Sequence, residues 1–93
     1  MGKYIIDYST DAKEDIKKFE KAGNKIILNK INNLINELKE HPRTGTGHPE
    51  QLKGYDGKRW SRRITGKHRL IYDIEEEIVT VLVISAFGHY DDD

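Results

Sequence analysis

The sequence predicts an α+β domain in which two N-terminal helices pack on one face of a small, mainly antiparallel β-sheet, in the order β-α-α-β-β-β. Three observations carry this reading. Apolar residues recur at helical spacing only between residues 12 and 38. From residue 60 onward the chain turns to runs rich in Ile, Val, Tyr, Trp and Thr, which suit a pleated, half-buried surface. The chain has 93 residues, enough for one domain spanning 1–93 and too few for a second, so both kinds of element must share a core.

Residues 3–8 (Lys-Tyr-Ile-Ile-Asp-Tyr) are rich in β-formers and end at Ser9-Thr10-Asp11, which marks a first strand. Asp11 followed by Glu14 has the form of a capping box opening a helix. Within it Ala12, Ile16 and Phe19 give one narrow apolar stripe on a charged helix. Ala22-Gly23-Asn24 breaks that helix, Gly23 suiting the left-handed position past its end and Asn24 the next N-cap. In the second helix Ile27, Ile31, Leu34, Ile35 and Leu38 share one face, with Lys, Asn and Glu opposite. His41-Pro42 ends it, because a proline pushes the residue before it out of helical space. Residues 43–49 form a Gly-rich loop. Its glycines flank Thr46 in a manner that can cradle phosphate, but the pattern is no Walker loop, and turn chemistry accounts for it. One further short strand is expected near 51–54. Residues 60–65 and 68–74 make a hairpin about Gly66-Lys67. After the acidic turn 75–77, the near-continuous Ile, Val and Leu content of 78–86 suggests a strand buried on both faces.

Composition narrows the function classes. There is no cysteine, so neither disulfides nor thiolate metal sites supplement the core, and an oligomeric partner would help to complete it. Residues 1–8 are too short and polar for a secretory signal, and the longest apolar run falls well below the roughly 20 residues of a membrane span. A soluble, cytoplasmic protein is expected. Net charge is zero, yet it is segregated along the chain. Between residues 53 and 69 the cations Lys53, Lys58, Arg59, Arg62, Arg63, Lys67 and Arg69 stand against one acid, Asp56. Beyond Arg69 there are only acids, ending in the tail Asp91-Asp92-Asp93. Phosphate contacts respond to the local field, so nucleic acid stays a candidate ligand.

Strand alternation sorts those cations. Trp60, Arg62 and Ile64 share a face, which puts Arg62 beside the helices or at an edge. Ser61, Arg63 and Thr65 form the opposite face. On the next strand Leu70, Tyr72 and Ile74 are apolar, with Arg69, Ile71 and Asp73 opposed to them. Arg63 and Arg69 are therefore expected to project from the uncovered face as a phosphate clamp, their planar forks matching phosphate oxygens. The competing reading is cross-strand pairing with Asp73 or the acids at 75–77.

RNA cleavage without metal requires a base for the 2′-hydroxyl, a cation for the phosphorane and an acid for the 5′-oxygen. Glu50 is a candidate base, Arg69 a candidate for the developing charge, and His89 a candidate acid, since imidazole titrates near neutral pH. Each also has a plain reading as a solvated surface residue. Four histidines (His41, His48, His68 and His89) lack the spacing of a zinc site, and no metal or cofactor is expected.

The second half resembles the YoeB/Txe family of the RelE superfamily. The blocks that carry the resemblance are Gly-Thr-Gly-His-Pro-Glu-Gln-Leu-Lys (45–53), Trp-Ser-Arg-Arg-Ile-Thr (60–65), His-Arg-Leu-Ile-Tyr (68–72) and His89-Tyr90. The resemblance implies a RelE-like, microbial-RNase-type fold and a toxin that cleaves mRNA in the ribosomal A site until a cognate antitoxin of YefM/Axe-like type silences it. It implies the 70S ribosome and mRNA as partners, and a homodimer is expected beside them. On the family pattern Glu50 is the general base, Arg69 the transition-state stabiliser and His89 the general acid. Tyr90 orients substrate, and Lys53 and Arg63 contact phosphate or neutralise charge. His68 is assigned to the hairpin turn, and Trp60 and Tyr72 to packing. The chain departs from the pattern at Phe87, where relatives often carry a basic residue, and in its acidic tail. A relative of the same fold that poisons DNA gyrase, a ribosome-independent RNase and an RNA-binding module are the competing functions.

Overall fold

The computed structural model describes residues 4–86. Strand β1 (Ile5–Tyr8) leads into helices α1 (Thr10–Lys21) and α2 (Lys25–Glu40). The short β2 (Glu50–Gln51) then precedes β3 (Arg59–Arg63), β4 (Arg69–Glu75) and β5 (Ile78–Ala86). The sheet runs in the order β1-β5-β4-β3-β2. Every neighbouring pair is antiparallel except β1 and β5, which are parallel; the chain passes through both helices and then β2, β3 and β4 before β5 returns beside β1. The predicted α+β class and mainly antiparallel sheet hold. The extra short strand exists, one residue earlier than expected.

Side-chain chemistry sets the helix ends. Helix α1 opens at Ser9, whose Oγ accepts from the Ala12 amide at 3.0 Å, so the expected Asp11–Glu14 capping box does not form. Ser9 wins because its hydroxyl also donates to the Leu82 carbonyl at 2.7 Å, tying the cap to β5. Asp11 instead sits in the first turn, where its charge suits the helix dipole. Gly23 takes a φ of 67° past the end of α1, and Asn24 caps α2 by accepting from the Ile27 amide at 3.3 Å. All five predicted apolar residues of α2 are buried, and His41 is its C-cap.

The core lies between the helices and one face of the sheet. Leu38, Leu70, Tyr72, Val79, Val81 and Ile84 have no exposed surface, and Ile16 and Phe19 pack against this cluster from α1. β5 departs from the expected burial on both faces: Ile78 is 40% exposed and Thr80 is half-buried. Among its described side chains Val79, Val81 and Ile84, which join the core, are the ones sealed. Between the pairs Tyr72↔Val81 and Ile71↔Val83 the register shifts, leaving Leu82 without an opposite residue. A second shift follows between Ile71↔Val83 and Arg69↔Ala86, and backbone groups at the two irregularities are taken up by Ser9 and α1. Ser9 Oγ donates to Leu82 O, and buried Asp15 accepts from the Ile84 amide at 3.1 Å.

Candidate active site on the sheet face opposite the helices

Arg62 and Tyr72 lie diagonally across β3 and β4 in the helix-facing layer: both are fully buried, and the Arg62 Nε–H donates to Tyr72 Oη at 3.1 Å. Their strand neighbours therefore point the other way. Directly opposed residues share a face, so the register maps the side away from the helices. One row runs Glu50↔Ser61↔Ile71. The next row, two residues along β3, is Arg63↔Arg69. Two residues along a strand span about 7 Å. Glu50 and the two arginines thus stand on one face in adjacent rows, as the alternation predicted for the arginines.

The basic residues divide sharply in their partners. Arg59 pairs with its cross-strand neighbour Asp73 through two bonds, Nε to Oδ1 at 2.7 Å and Nη2 to Oδ2 at 3.0 Å, and its guanidinium lies 4.3 Å from the Tyr55 ring centroid. Lys58 pairs with Glu75 at 3.2 Å. Arg62 pairs with Glu37 at 2.7 Å. Cross-strand charge pairing, the competing reading, is thus what Arg59 and Lys58 do. Arg63 and Arg69 are different: they face each other directly, and among the described residues neither takes an ion pair. Like charges in opposed positions repel, so the pair favours an anion between or above it. Ser61 and Ile71, buried in the row beside it, give a floor with little exposed surface.

Lys53 is exposed in the turn that follows β2, outside the two rows. His89, Tyr90 and the tail Asp91–Asp93 lie outside the described residues, as does Phe87. His68 has the turn role assigned to it: its Nδ1 lies 2.9 Å from Thr65 Oγ1, and its ring meets Phe19 edge-on at 5.5 Å. Trp60 packs against the core and donates its indole N–H to Gly57 O.

The Gly-rich loop is not a phosphate cradle. Its inner side is occupied by protein: the Thr46 amide donates to Glu37 Oε1 at 2.9 Å, and the carbonyls of Thr44 and Thr46 accept from Arg62 at 2.6 and 3.3 Å. Gly45 has a φ of 119°, and a side chain there would collide with Glu37 Oε1, so glycine is required for the turn. Burial pushes the Glu37 carboxyl upward, but hydrogen bonds from Thr46 and the bond and charge of Arg62 outweigh it and hold its pKa below the ordinary value. Burial raises the Tyr72 phenol above its usual pKa, with Arg62 opposing. Sequence reading left Arg62 between two placements and did not single out Glu37. The one signal for Glu37 is its place beside Leu34 and Leu38 on the apolar stripe of α2.

Residues 8–90 match the family model described as the YoeB-like toxin of bacterial type II toxin–antitoxin systems. The chain is 38% identical over 85 residues to toxin YoeB of Mycobacterium bovis, covering 91% of this chain and 96% of that one. It is similar to the structure of the YoeB dimer from Staphylococcus aureus, with a TM-score of 0.78 and 31% identity over 89% of this chain and 95% of that one. It is likewise similar to the heterotetrameric YoeB–YefM toxin–antitoxin complex from Staphylococcus aureus, with a TM-score of 0.77 and 31% identity over 88% and 94% of the two chains.

Proposed function

The chain belongs to the family of YoeB-like toxins of bacterial type II toxin–antitoxin systems, and from that premise we propose that it is a ribosome-dependent mRNA endoribonuclease working by metal-free general acid–base catalysis. The observation that carries the reading is the opposed Arg63–Arg69 pair, without a carboxylate partner among the described residues, on the same sheet face as Glu50. A cation pair that favours an anion, one row from a candidate base, suits a scissile phosphate.

In this mechanism Glu50 takes the proton of the 2′-hydroxyl, and the 2′-oxygen forms a bond to phosphorus. Arg69, with Arg63 and Lys53, stabilises the dianionic phosphorane. The bond from phosphorus to the 5′-oxygen breaks, and His89 donates a proton to that oxygen. The products are a 2′,3′-cyclic phosphate and a free 5′-hydroxyl. Tyr90 orients the substrate. The roles of His89, Tyr90 and Lys53 rest on the sequence resemblance. A YefM-like antitoxin and a second copy of the chain are the proposed protein partners, supported by the dimer and the complex to which the chain is similar. Activity on translating ribosomes places the toxin in the cytoplasm. Among the described residues no helix is long and apolar enough to cross a membrane.

The test is cleavage of a defined mRNA, with and without translating ribosomes, by the wild type, Glu50→Gln and His89→Gln. Ribosome-dependent cutting that falls by orders of magnitude in both variants is expected. Equal cutting of naked mRNA would replace ribosome dependence with a free RNase. No cutting by the wild type under any condition would sink the enzyme reading in favour of a gyrase poison or a binding module.

A further inference from the structure

We infer that Arg62 is a positioning residue for Glu50, holding it on the sheet face away from the helices by gripping the preceding loop from the helix side. The inference rests on the reading of Glu50 as the base. Arg62 is completely buried, the largest side chain of the described residues to be so. A buried guanidinium is tolerable only when its N–H groups find acceptors. Arg62 finds five: Tyr72 Oη from Nε at 3.1 Å, Glu37 Oε1 and Thr46 O from Nη1 at 2.7 and 3.3 Å, and His41 O and Thr44 O from Nη2 at 2.8 and 2.6 Å. Three of these acceptors are carbonyls of the loop that joins α2 to β2.

That loop needs such a grip. Gly45, Gly47 and His48 have φ values of 119°, 85° and 51°, in the left-handed region where the backbone has no regular ladder to hold it. The remaining ties converge on the same few residues. Tyr72 Oη donates to Pro42 O at 2.7 Å, the Thr46 amide donates to Glu37, and the Arg63 amide donates to Gly47 O at 2.7 Å. Gly47 lies three residues before Glu50, and Glu50 then pairs with Ser61, the chain neighbour of Arg62. Glu50 is thus fixed at both ends of a short path, through the loop and through β3. A buried ion pair is weak grounds for stability, because apolar side chains often replace one without loss. The use of all five donors, three on one loop, points instead to geometry.

Two variants test this: Arg62→Lys, which keeps the charge but not the fork, and Tyr72→Phe, which removes one hydroxyl and leaves four of the acceptors of Arg62. For each, amide hydrogen exchange is compared with the wild type. Single-turnover cleavage and affinity are measured on 70S ribosomes programmed with a defined mRNA. In Arg62→Lys the amides of 44–50 are expected to exchange faster while those of β4 and β5 keep their protection. Single-turnover cleavage falls about 10- to 100-fold, the scale of a small misplacement of a reacting group, with ribosome affinity within about twofold. Tyr72→Phe moves the same readouts in the same direction by less. Wild-type exchange at 44–50 in a folded variant would overturn the inference, and so would a loss of rate matched by an equal loss of affinity. Should Arg62→Lys fail to fold, Tyr72→Phe decides. A wild type that does not cleave would sink the functional reading, and the exchange comparison alone would then settle whether Arg62 holds the Glu50 loop.

Discussion

At the scale of single residues, what separates a structural cation from a candidate functional one here is its partner. Arg59, held twice by Asp73, contributes to folding, and Arg59→Ala is expected to destabilise the protein by about 1 to 2 kcal/mol, the range for a charge-assisted pair in a partly buried setting, while cleavage persists. Arg63 is exposed and opposed to Arg69, so Arg63→Gln relieves repulsion. Urea denaturation is expected to show it more stable than the wild type by a few tenths of a kcal/mol, with cleavage reduced. A loss of stability would mean that Arg63 has a stabilising partner. Glu37 gives a pH prediction. Its folded pKa lies below the ordinary 4.5, so its contribution is present above that value and is lost as pH falls through the depressed folded pKa. Acid titration of stability should therefore steepen below pH 4.5, and Glu37→Gln should flatten that limb. An unchanged limb would remove Glu37 from the acid transition.

At the scale of elements, the strongest local patterns were the most legible. The five-residue face of α2 and the Gly23-Asn24 junction could be read because each depends on near neighbours alone. The start of α1 could not: Ser9, Thr10 and Asp11 can all cap, and the choice falls to Ser9 through its bond to Leu82, 73 positions away. The bulge in β5, the parallel β1–β5 pair and the five-acceptor grip of Arg62 were hidden for the same reason, since each is made by residues distant in sequence. Of the candidate site, the shared face of Arg63 and Arg69 was legible from alternation, whereas the place of Glu50 beside them needed the β2–β3 register. Ser9→Ala removes both the cap and the tie to Leu82, and a cost of about 1 to 2 kcal/mol is expected in thermal denaturation. Gly47→Ala should be severe. Its φ of 85° disfavours a side chain, and the added Cβ would lie 2.8 Å from the Arg63 carbonyl, which is backbone and cannot swing aside. Gly23→Ala meets no such neighbour and should cost only about 1 kcal/mol.

At the scale of the whole molecule, zero net charge and the proposed RNA substrate are reconciled by where the charges lie. Arg69 opens β4 and Glu75 closes it, so the opposed arginines and the acidic turn occupy opposite ends of one strand, roughly 20 Å apart. At the acidic end Asp7, Glu75, Glu76 and Glu77 line a hollow of about 620 Å³ with Ile5, Ile78 and Thr80. The screening length at physiological salt is about 8 Å, so an RNA strand at the basic end feels little of those acids. Binding to RNA should therefore depend on salt as it would for a basic protein. The three proposed phosphate contacts, from Arg63, Arg69 and Lys53, would give a slope of about −2 in log affinity against log salt on a single strand. Titrating the Glu50→Gln toxin, expected not to cleave, with a short mRNA fragment across salt concentrations measures that slope. Neutralising Glu75, Glu76 and Glu77 to Gln should leave affinity at about 0.15 M salt unchanged and raise the association rate only near 0.01 M, where screening extends to about 30 Å. Tighter binding at 0.15 M after that change would show that the acidic end acts on RNA directly, and that the two ends are not electrostatically separate.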